Sequence, residues 1–505
     1  MRPREIFIAV SAVILVIIGI ISIFWPPVLW SLILLLPLLF MGLKDVSQKK
    51  HAIKNNFPLL GRLRYLLESF RPEIQQYFVE TETEGTPINR MFRSLIYSRA
   101  KNVNDTTPFG TKSDVYRVGY ECMAHSMYPK HHDEVNQDPR VVFGGKDCKQ
   151  PYNASILNIS AMSFGSLSKN AVLALSKGAK LGNFAHNTGE GGISPYHKEG
   201  GGNLIWQIGT GYFGCRTKEG VFCPDTFQKK AQADNVKMIE IKLSQGAKPG
   251  HGGILPAAKN TEEIAKIRDV EPHTDILSPP FHTAFNDAEG LLQFVKQLRD
   301  LSGGKPIGFK LCLGSKDEFI QVCEAMKKTQ ILPDFITIDG GEGGTGAAPV
   351  EFANSIGLPL REGLSFAVNS LKRYKFKDNI KVIASGRVFS AFHIIRLMAL
   401  GADAVNSARA MMMAVGCIQA LQCNTNTCPA GVATQDKSLM KGLDVNDKYV
   451  RVANFHKKTV VSFAEMLASA GLTDSSQIQR KHILHRTGPN KMASYQELYP
   501  ENILS

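Results

Sequence analysis

Cys417, Cys423 and Cys428 stand in the spacing C-x5-C-x4-C within Gly416-Cys-Ile-Gln-Ala-Leu-Gln-Cys-Asn-Thr-Asn-Thr-Cys-Pro-Ala-Gly431. Soft thiolates select iron–sulfur clusters, copper(I) or zinc, and three of them without a nearby histidine leave a tetrahedral zinc site one ligand short. Three thiolates suit a three-iron cluster better, and the Cys-Pro step stops the chain from continuing as helix over it. An electron-transfer centre is the first inference. Buried core cysteines are the bland alternative, since a free thiol packs as a small apolar group. Three within twelve residues, amid Asn424, Thr425, Asn426 and Thr427, argue against it.

A second chemical signal is Gly341-Glu-Gly343-Gly-Thr-Gly346, which follows an apolar run ending at Asp339 and fits G-x-G-x-x-G. A dinucleotide fingerprint opens directly into a helix, whereas here Pro349 follows and the first helical pattern starts near Leu360. The glycines therefore read as a loop whose backbone approaches a ligand closely.

These residues need a scaffold, and the pattern from Gln150 onward supplies one. Apolar or β-branched runs at Ala154–Ile159, Asn183–Asn187, Met238–Lys242, Asp275–Leu277, Pro306–Leu311, Asp334–Ile338, Lys381–Ala384 and Ala402–Asn406 predict strands. Helical patterns at Lys169–Leu181, Thr261–Arg268, Asp287–Leu301, Lys316–Thr329, Leu360–Lys375 and Ala391–Leu400 fall between them. About eight β/α units predict a parallel (β/α)8 barrel of the α/β class, with a doubly wound sheet as the alternative.

The 505 residues hold nine cysteines, an odd and scattered set that does not form a secreted disulfide framework and suits a reducing cytoplasm. Net charge is +14. Between Met41 and Arg71 seven Lys or Arg (Lys44, Lys49, Lys50, Lys54, Arg62, Arg64, Arg71) face only Asp45 and Glu68, a patch that attracts anionic lipid headgroups. No zinc-finger, helix-turn-helix or RNA-binding aromatic motif accompanies it, so nucleic acid is not an expected partner. Just before the patch, the apolar runs Ile6–Trp25 and Val28–Leu43, broken by Pro26-Pro27, predict a transmembrane helical hairpin. Arg2 and Arg4 before it and Lys44, Lys49 and Lys50 after it place both ends, and the main domain, in the cytoplasm. A secretory signal peptide is disfavoured by the second run and by the lack of an Ala-x-Ala site. The expected division is a hairpin over residues 1–45, a juxtamembrane basic, helical and loop region over 46–150, a barrel with its cysteine loop over 151–440, and a helical tail over 441–505.

Five segments in order resemble the synthase region of the glutamate synthase large subunit: Met162-Ser-Phe-Gly-Ser-Leu-Ser168, Asn187-Thr-Gly-Glu-Gly-Gly192, Ile241-Lys-Leu-Ser-Gln-Gly-Ala-Lys-Pro-Gly250, Asp339-Gly-Gly-Glu-Gly-Gly-Thr-Gly-Ala347, and Cys417 to Gln435. The resemblance spans roughly Gln150 to Gln435. It implies a TIM barrel binding FMN, a [3Fe-4S] cluster on Cys417, Cys423 and Cys428, and an oxidoreductase that converts 2-oxoglutarate and ammonia to L-glutamate. By the same resemblance Lys248 and Arg268 meet the 2-oxo acid, and Glu190 stands at the reacting centre. Implied flavin contacts are Met162, Ser163, Gly165, Lys242, Gln245, Lys310, Asp339, Gly340, Gly341, Gly386, Arg387, Ser407 and Arg409. Physical chemistry agrees: a phosphate seeks the loops after the last two barrel strands, where Ser385-Gly386-Arg387 and Ser407-Ala408-Arg409 lie. A reduced flavin ring gains from a cation near N1, for which Lys310, then Lys242, is the candidate.

Two departures bear on the substrate. The family stretch usually reads Pro-Gly-Glu-Gly-Gly-Gln, whereas this chain has Pro249-Gly-His251-Gly-Gly-Ile254, and Gly192 is followed by Ile193 rather than a glutamate. An altered acid or amine is therefore an open alternative, as is an N-methylglutamate-forming or related amino-acid-condensing enzyme. An electron-relay subunit without turnover is a third. With no glutaminase module or nucleotide domain evident, electrons are expected from ferredoxin or a reductase subunit. Ammonia is expected to be free or to come from a separate glutaminase.

Overall fold

The computed structural model describes residues 2–501; Met1 and the last four residues of the expected tail lie outside that range. Eight parallel strands close into a barrel: β1 (Leu157–Ile159), β2 (Ala185–Asn187), β3 (Asn203–Ile208), β4 (Val236–Lys242), β5 (Ile307–Cys312), β6 (Phe335–Asp339), β7 (Lys381–Ser385) and β8 (Ala404–Ser407). Pairing runs around the ring in chain order, β8 closing on β1 through Val405 and Leu157. Each strand is buried on both faces, which explains its near-continuous apolar sequence. The doubly wound alternative is excluded because the sheet has no edge.

Seven of the eight expected strands are in the barrel. Asp275–Leu277 is not one of them: Ile276–Leu277 instead pairs antiparallel with Ile254–Leu255 outside the ring. The third barrel strand is Asn203–Ile208, which carries Leu204, Ile205, Trp206 and Ile208 buried. Ile276–Leu277 takes its partner from the loop strand Ile254–Leu255, whereas Asn203–Ile208 pairs in parallel with β2 on one side and β4 on the other.

Short N-caps start the outer helices. Ser168 Oγ accepts from Ala171 N at 3.2 Å to begin Lys169–Leu181, and Ser315 Oγ accepts from Glu318 N at 3.3 Å to begin Lys316–Thr329. The antiparallel pair Arg140–Phe143 and Tyr152–Ser155 plugs the barrel floor: Phe143, Tyr152 and Ala154 cluster with Ala185, Ile205, Met238, Phe335, Ile383 and Ala404. In the expected helical and loop region before Gln150, the helix Arg90–Lys101 is followed by a loop part that holds two strands, Glu121–Met123 and Arg140–Phe143. The tail is not wholly helical either. After the helix Val445–Ser469, Ile483–Gly488 and Lys491–Ser494 form a sheet with Glu121–Met123. Buried Glu121 ties that sheet to the barrel helices by accepting from Arg361, Arg396 at 2.8 Å and Tyr495 at 2.6 Å.

The chain divides into two compact units between Thr81 and Glu82. In the first, the helices Pro3–Phe24 and Leu32–Ser47 are joined by a single turn at Pro26–Ser31. Pro3–Phe24 and Pro26–Ser47 are each long and apolar enough to cross a membrane. A basic helix, Leu60–Ile74, follows.

Midway up the barrel, one polar layer replaces hydrocarbon. Glu240 is fully buried, and its Oε1 accepts from Asn187 Nδ2 at 2.8 Å and Gln207 Nε2 at 2.7 Å, its Oε2 from Thr337 Oγ1 at 2.6 Å. Cutting Glu240 back to alanine strands three buried donors at roughly 1–3 kcal/mol each, so Glu240→Ala is expected to lose about 3 kcal/mol or more of stability. Chemical denaturation checks this; a loss under about 1 kcal/mol would mean the layer is hydrated rather than dry.

Candidate active site

The loops after the strands' C-terminal ends surround a cavity of about 450 Å³, and a recess of about 50 Å³ adjoins it. Sequence-predicted residues from both ends of the barrel sequence converge here. Met162, Ser163, Glu190, Lys242, Gln245, Lys248, Arg268, Arg387, Arg409, Cys417, Cys423 and Cys428 line the larger space. Lys310, Asp339, Gly386 and Ser407 line the recess, with Gln245, Arg387 and Arg409 shared between the two. Three predicted positions line neither. Gly165, at φ +104°, clears Arg268, whose guanidinium would lie 3.0 Å from an added Cβ. Gly340 and Gly341 hold the loop in place, their N–H groups donating to Ser385 O at 2.9 Å and Leu358 O at 2.8 Å.

Burial of cations dominates the site. Lys242, Lys248, Arg268 and Lys310 are each less than a tenth exposed. Lys242 Nζ donates to Glu190 Oε1 at 2.8 Å. Burial pushes the Glu190 carboxyl up, but Lys242, Lys248 and Arg268 together more than offset it and hold it below the usual range. Burial, with Lys242 nearby, lowers Lys248 against the pull of Glu190, and burial lowers Arg268 to about 10. Arg268 donates to Phe164 O at 3.0 Å and Ser163 Oγ at 3.3 Å and lies over the Phe213 ring at 5.2 Å. Its Nε, buried, has no partner. Lys310 sits 3.5 Å from Asp339; burial opposes its charge, but Asp339 and Glu240 prevail and raise it.

The glycine-rich loop works by close approach. Asp339 Oδ2 accepts from Gly246 N at 3.0 Å, and a Cβ on Gly246 would stand 1.9 Å from Gly340 O. Those contacts fasten the loop after β4, which carries Lys248, to the loop after β6. Lys242 is set from behind by His282, whose neutral state is enforced by burial, which lowers it to about 4. His282 Nε2 lies 2.9 Å from Lys242 O, so Nε2 is the protonated nitrogen, and Nδ1 accepts from Tyr212 OH at 3.0 Å.

Of the departures noted in the sequence, Ile254 lines the cavity, His251 packs edge-on against Phe352 at 5.1 Å, and Ile193 is buried in the hydrophobic core. The three cysteines face the cavity together, although among the described residues no group of three or more His, Cys, Asp or Glu is arranged to hold a metal ion. Burial pushes the Cys417 thiol up to about 12 and raises Cys423, with neighbouring thiols adding to both shifts. Tyr97 OH donates to Cys417 O at 2.8 Å.

Lys259 escaped the sequence reading because Pro-Ala-Ala-Lys looks like a surface turn. It is buried, donates to Ser166 O at 3.0 Å and Cys423 O at 2.9 Å, and is lowered to about 8 by burial against the pull of Cys423 and Cys428. Asn406 and Ser160, both lining the recess, were missed as well, while Gly343 and Gly344 of the glycine-rich loop line it. The signal for the first two would have been their positions near the end of β8 and just after β1.

A closed parallel barrel with buried cations and a small polar recess at its C-terminal mouth is the architecture of an enzyme barrel whose site lies at the C-terminal ends of the strands. A model of the conserved region in glutamate synthase matches residues 102–473; the chain belongs to the glutamate synthase family and carries its FMN-domain barrel. It is 39% identical to the glutamate synthase large subunit-like protein YerD of Bacillus subtilis (strain 168), over 94% of this chain and 96% of that one. To an archaeal NADPH glutamate synthase of Methanocaldococcus jannaschii it is 34% identical over 64% of this chain, spanning 60% of that relative's length. A variant of flavocytochrome b2 with sulfite bound overlaps 88% of this chain and 89% of its own at 11% identity and a TM-score of 0.44, too loosely to speak to ligand or reaction. The chain is a redox-type enzyme of this family.

Because Lys248 is lowered, its ammonium is lost at a lower pH than an ordinary lysine's, and only the charged form attracts a carboxylate. Affinity for a dicarboxylate is therefore expected to be greatest below the Lys248 value and to fall as pH rises through it. Calorimetric titration across pH checks this; Lys248→Met should weaken binding and flatten the profile, and a wild-type profile without that fall contradicts the assignment.

Proposed function

We propose that the protein reductively aminates 2-oxoglutarate, or a related 2-oxo acid, with ammonia to L-glutamate, using electrons from an external donor. The observation that carries this reading is the set Lys248, Arg268 and Glu190 in one cavity, two cations for carboxylates beside an ionised carboxylate. Arg268 offers a planar fork and Lys248 a point charge, which together orient a dicarboxylate. Glu190, held ionised by Lys242, takes a proton from the nitrogen as ammonia adds to the keto carbon, and returns it to the oxygen as water leaves the carbinolamine to give the imine. Overall, 2-oxo acid, ammonia, two electrons and two protons give the amino acid and water.

The adjoining recess suits the phosphate of FMN. Ser160, Ser385, Gly386, Arg387, Ser407 and Arg409 line a space of phosphate size, Gly343 and Gly344 leave its wall free of Cβ atoms, and buried Asn406 Oδ1 lacks a partner. Arg387 and Arg409 would hold the phosphate, and Lys310 would face the ring where negative charge gathers on reduction. When bound and reduced, FMN supplies the hydride. The donor set of Cys417, Cys423 and Cys428 likewise suits a [3Fe-4S] cluster: three thiols share one cavity, and metal binding relieves the burial and mutual repulsion that raise Cys417 and Cys423. Such a cluster supplies single-electron transfer from a donor such as ferredoxin or a reductase subunit.

The apolar helices Pro3–Phe24 and Pro26–Ser47 support a transmembrane hairpin with a cytoplasmic barrel, given the basic residues outside both ends. Ammonia comes free or from a separate glutaminase. Ile254 on the cavity wall favours one second reading, an N-methylglutamate-forming or related condensation in which the amine or acid carries an apolar group.

Anaerobic mixing of the FMN- and iron-loaded, reduced protein with 2-oxoglutarate and ammonium is the test. Flavin reoxidation with glutamate formation is expected. Reoxidation only with methylamine selects the second reading, and none with any 2-oxo acid or amine contradicts both and leaves an electron relay. In the same assay Ile254→Gln is expected to lower the KM for 2-oxoglutarate severalfold, and an unchanged KM would clear Ile254 of a role in substrate choice. Cys423→Ser is expected to abolish donor-driven turnover in a folded barrel; normal cluster absorbance and donor-driven activity would overturn the cluster assignment.

A further inference from the structure

The helix Leu60–Ile74, with the turn Gln75–Val79 that extends it, presents Leu60, Leu63, Leu67, Phe70, Ile74 and Phe78 at helical spacing along one stripe. All six are exposed, Leu60 at 73% and Phe78 at 84%. Exposure on that scale, over nearly five turns, is an apolar surface that the other described residues of its own unit leave uncovered. Arg64 and Arg71 flank the stripe, and Tyr65, Ser69 and Gln76 occupy the opposite side.

The helix does not float. Asp45, in the last turn of Leu32–Ser47 and almost fully buried, accepts a two-pronged bond from Arg62, Nε to Oδ2 at 2.7 Å and Nη2 to Oδ1 at 2.8 Å, and a third from Leu59 N at 3.3 Å. Gly61 packs against Ile53 so closely that an added Cβ would lie 2.8 Å from its carbonyl oxygen. The basic end of the second apolar helix and the start of the amphipathic helix are thus locked together.

We propose that Leu60–Val79 lies in the plane of the bilayer surface as an in-plane anchor on anionic lipid, with the Asp45–Arg62 fork setting its depth and direction. Three observations select lipid over a protein partner. The stripe is continuous with helices fit to span a membrane, and the fork holds it at their boundary. The charge beside it is basic on balance: Arg64 pairs with Glu68 at 2.9 Å and Glu73 is the other acid of the helix, while Arg71, Lys49, Lys50 and Lys54 supply cations, as an anionic headgroup layer requires. Large apolar residues backed by a polar face are the pattern of interfacial helices, in which long basic side chains reach up to the headgroups. The proposal rests on the hairpin reading, since an in-plane helix needs spans to place it there.

The test uses the full chain in nanodiscs containing phosphatidylglycerol, with a nitroxide amino acid introduced at Val16, Leu67 or Ser69. Collision with oxygen reports hydrocarbon, and collision with a water-soluble nickel chelate reports solvent. The oxygen-to-nickel ratio is expected to be high at position 16 and about fivefold or more higher at 67 than at 69, the difference between the two faces of an interfacial helix. Asp45→Ala should lower the ratio at 67 while leaving position 16 unchanged. Equal nickel access at 67 and 69 would overturn the proposal with the hairpin intact, and shielding of 67 from both reagents would overturn it in favour of a protein partner or second copy. Nickel access at 16 would sink the hairpin itself, and the in-plane seat with it.

Discussion

Cations buried at one end of a barrel are the constraint around which this protein is arranged. Lys242, Lys248, Arg268 and Lys310 give up most of their hydration, and the carboxylates that face them, Glu190 and Asp339, do not balance their charge. Desolvation of an ammonium or guanidinium costs several kcal/mol unless an anion is close. The lowered values of Lys248 and Arg268 mark where compensation by the protein stops. A site built this way favours ligands that bring negative charge with them, and both a flavin phosphate and a dicarboxylate do.

The rest of the barrel follows from holding those groups still. Lys242 and Lys310 sit at matched register on neighbouring strands, so their heads rise side by side at the mouth. Below them Glu240 and its three donors fill the interior with a satisfied polar layer, so the cations stand on a rigid floor. Above them the loops carrying Lys248 and the glycine run touch backbone to backbone, which only Gly246 facing Gly340 permits. Lys259 extends the same framework outward by bonding Ser166 O and Cys423 O, so the loop after β1 and the cysteine loop share one ammonium.

Much of this was legible in the chain because its causes are local. Helices such as Lys169–Leu181 and Lys316–Thr329 carry their serine caps and apolar periodicity with them, and strands such as Phe335–Asp339 announce a two-sided burial by composition. The motif residues converge because each ends a strand or opens the following loop. What escaped had non-local causes. Asn203–Ile208 counts as a barrel strand only through its neighbours on both sides, and Ile276–Leu277 was drawn out of the ring by pairing with Ile254–Leu255. Lys259 and Glu240 look ordinary in sequence, and only the elements folded around them make one a bridge and the other a core acceptor. His251 and Ile254 looked equivalent as departures, yet only Ile254 reaches the cavity wall.

The central claim is that positive charge gathered at the barrel mouth, on its buried cations and on Arg387 and Arg409 of the adjoining recess, is the binding force of the site. Calorimetric titration of the flavin-free protein with FMN and with riboflavin, which differ only in the phosphate, tests it most directly. Loss of two or three charge-assisted hydrogen bonds at about 1.5–3 kcal/mol each predicts that riboflavin binds weaker by roughly a hundredfold or more, with the gap narrowing as salt is added. Equal affinity for the two flavins at low salt would contradict it, because the recess around Arg387 and Arg409 would then contribute no charge recognition.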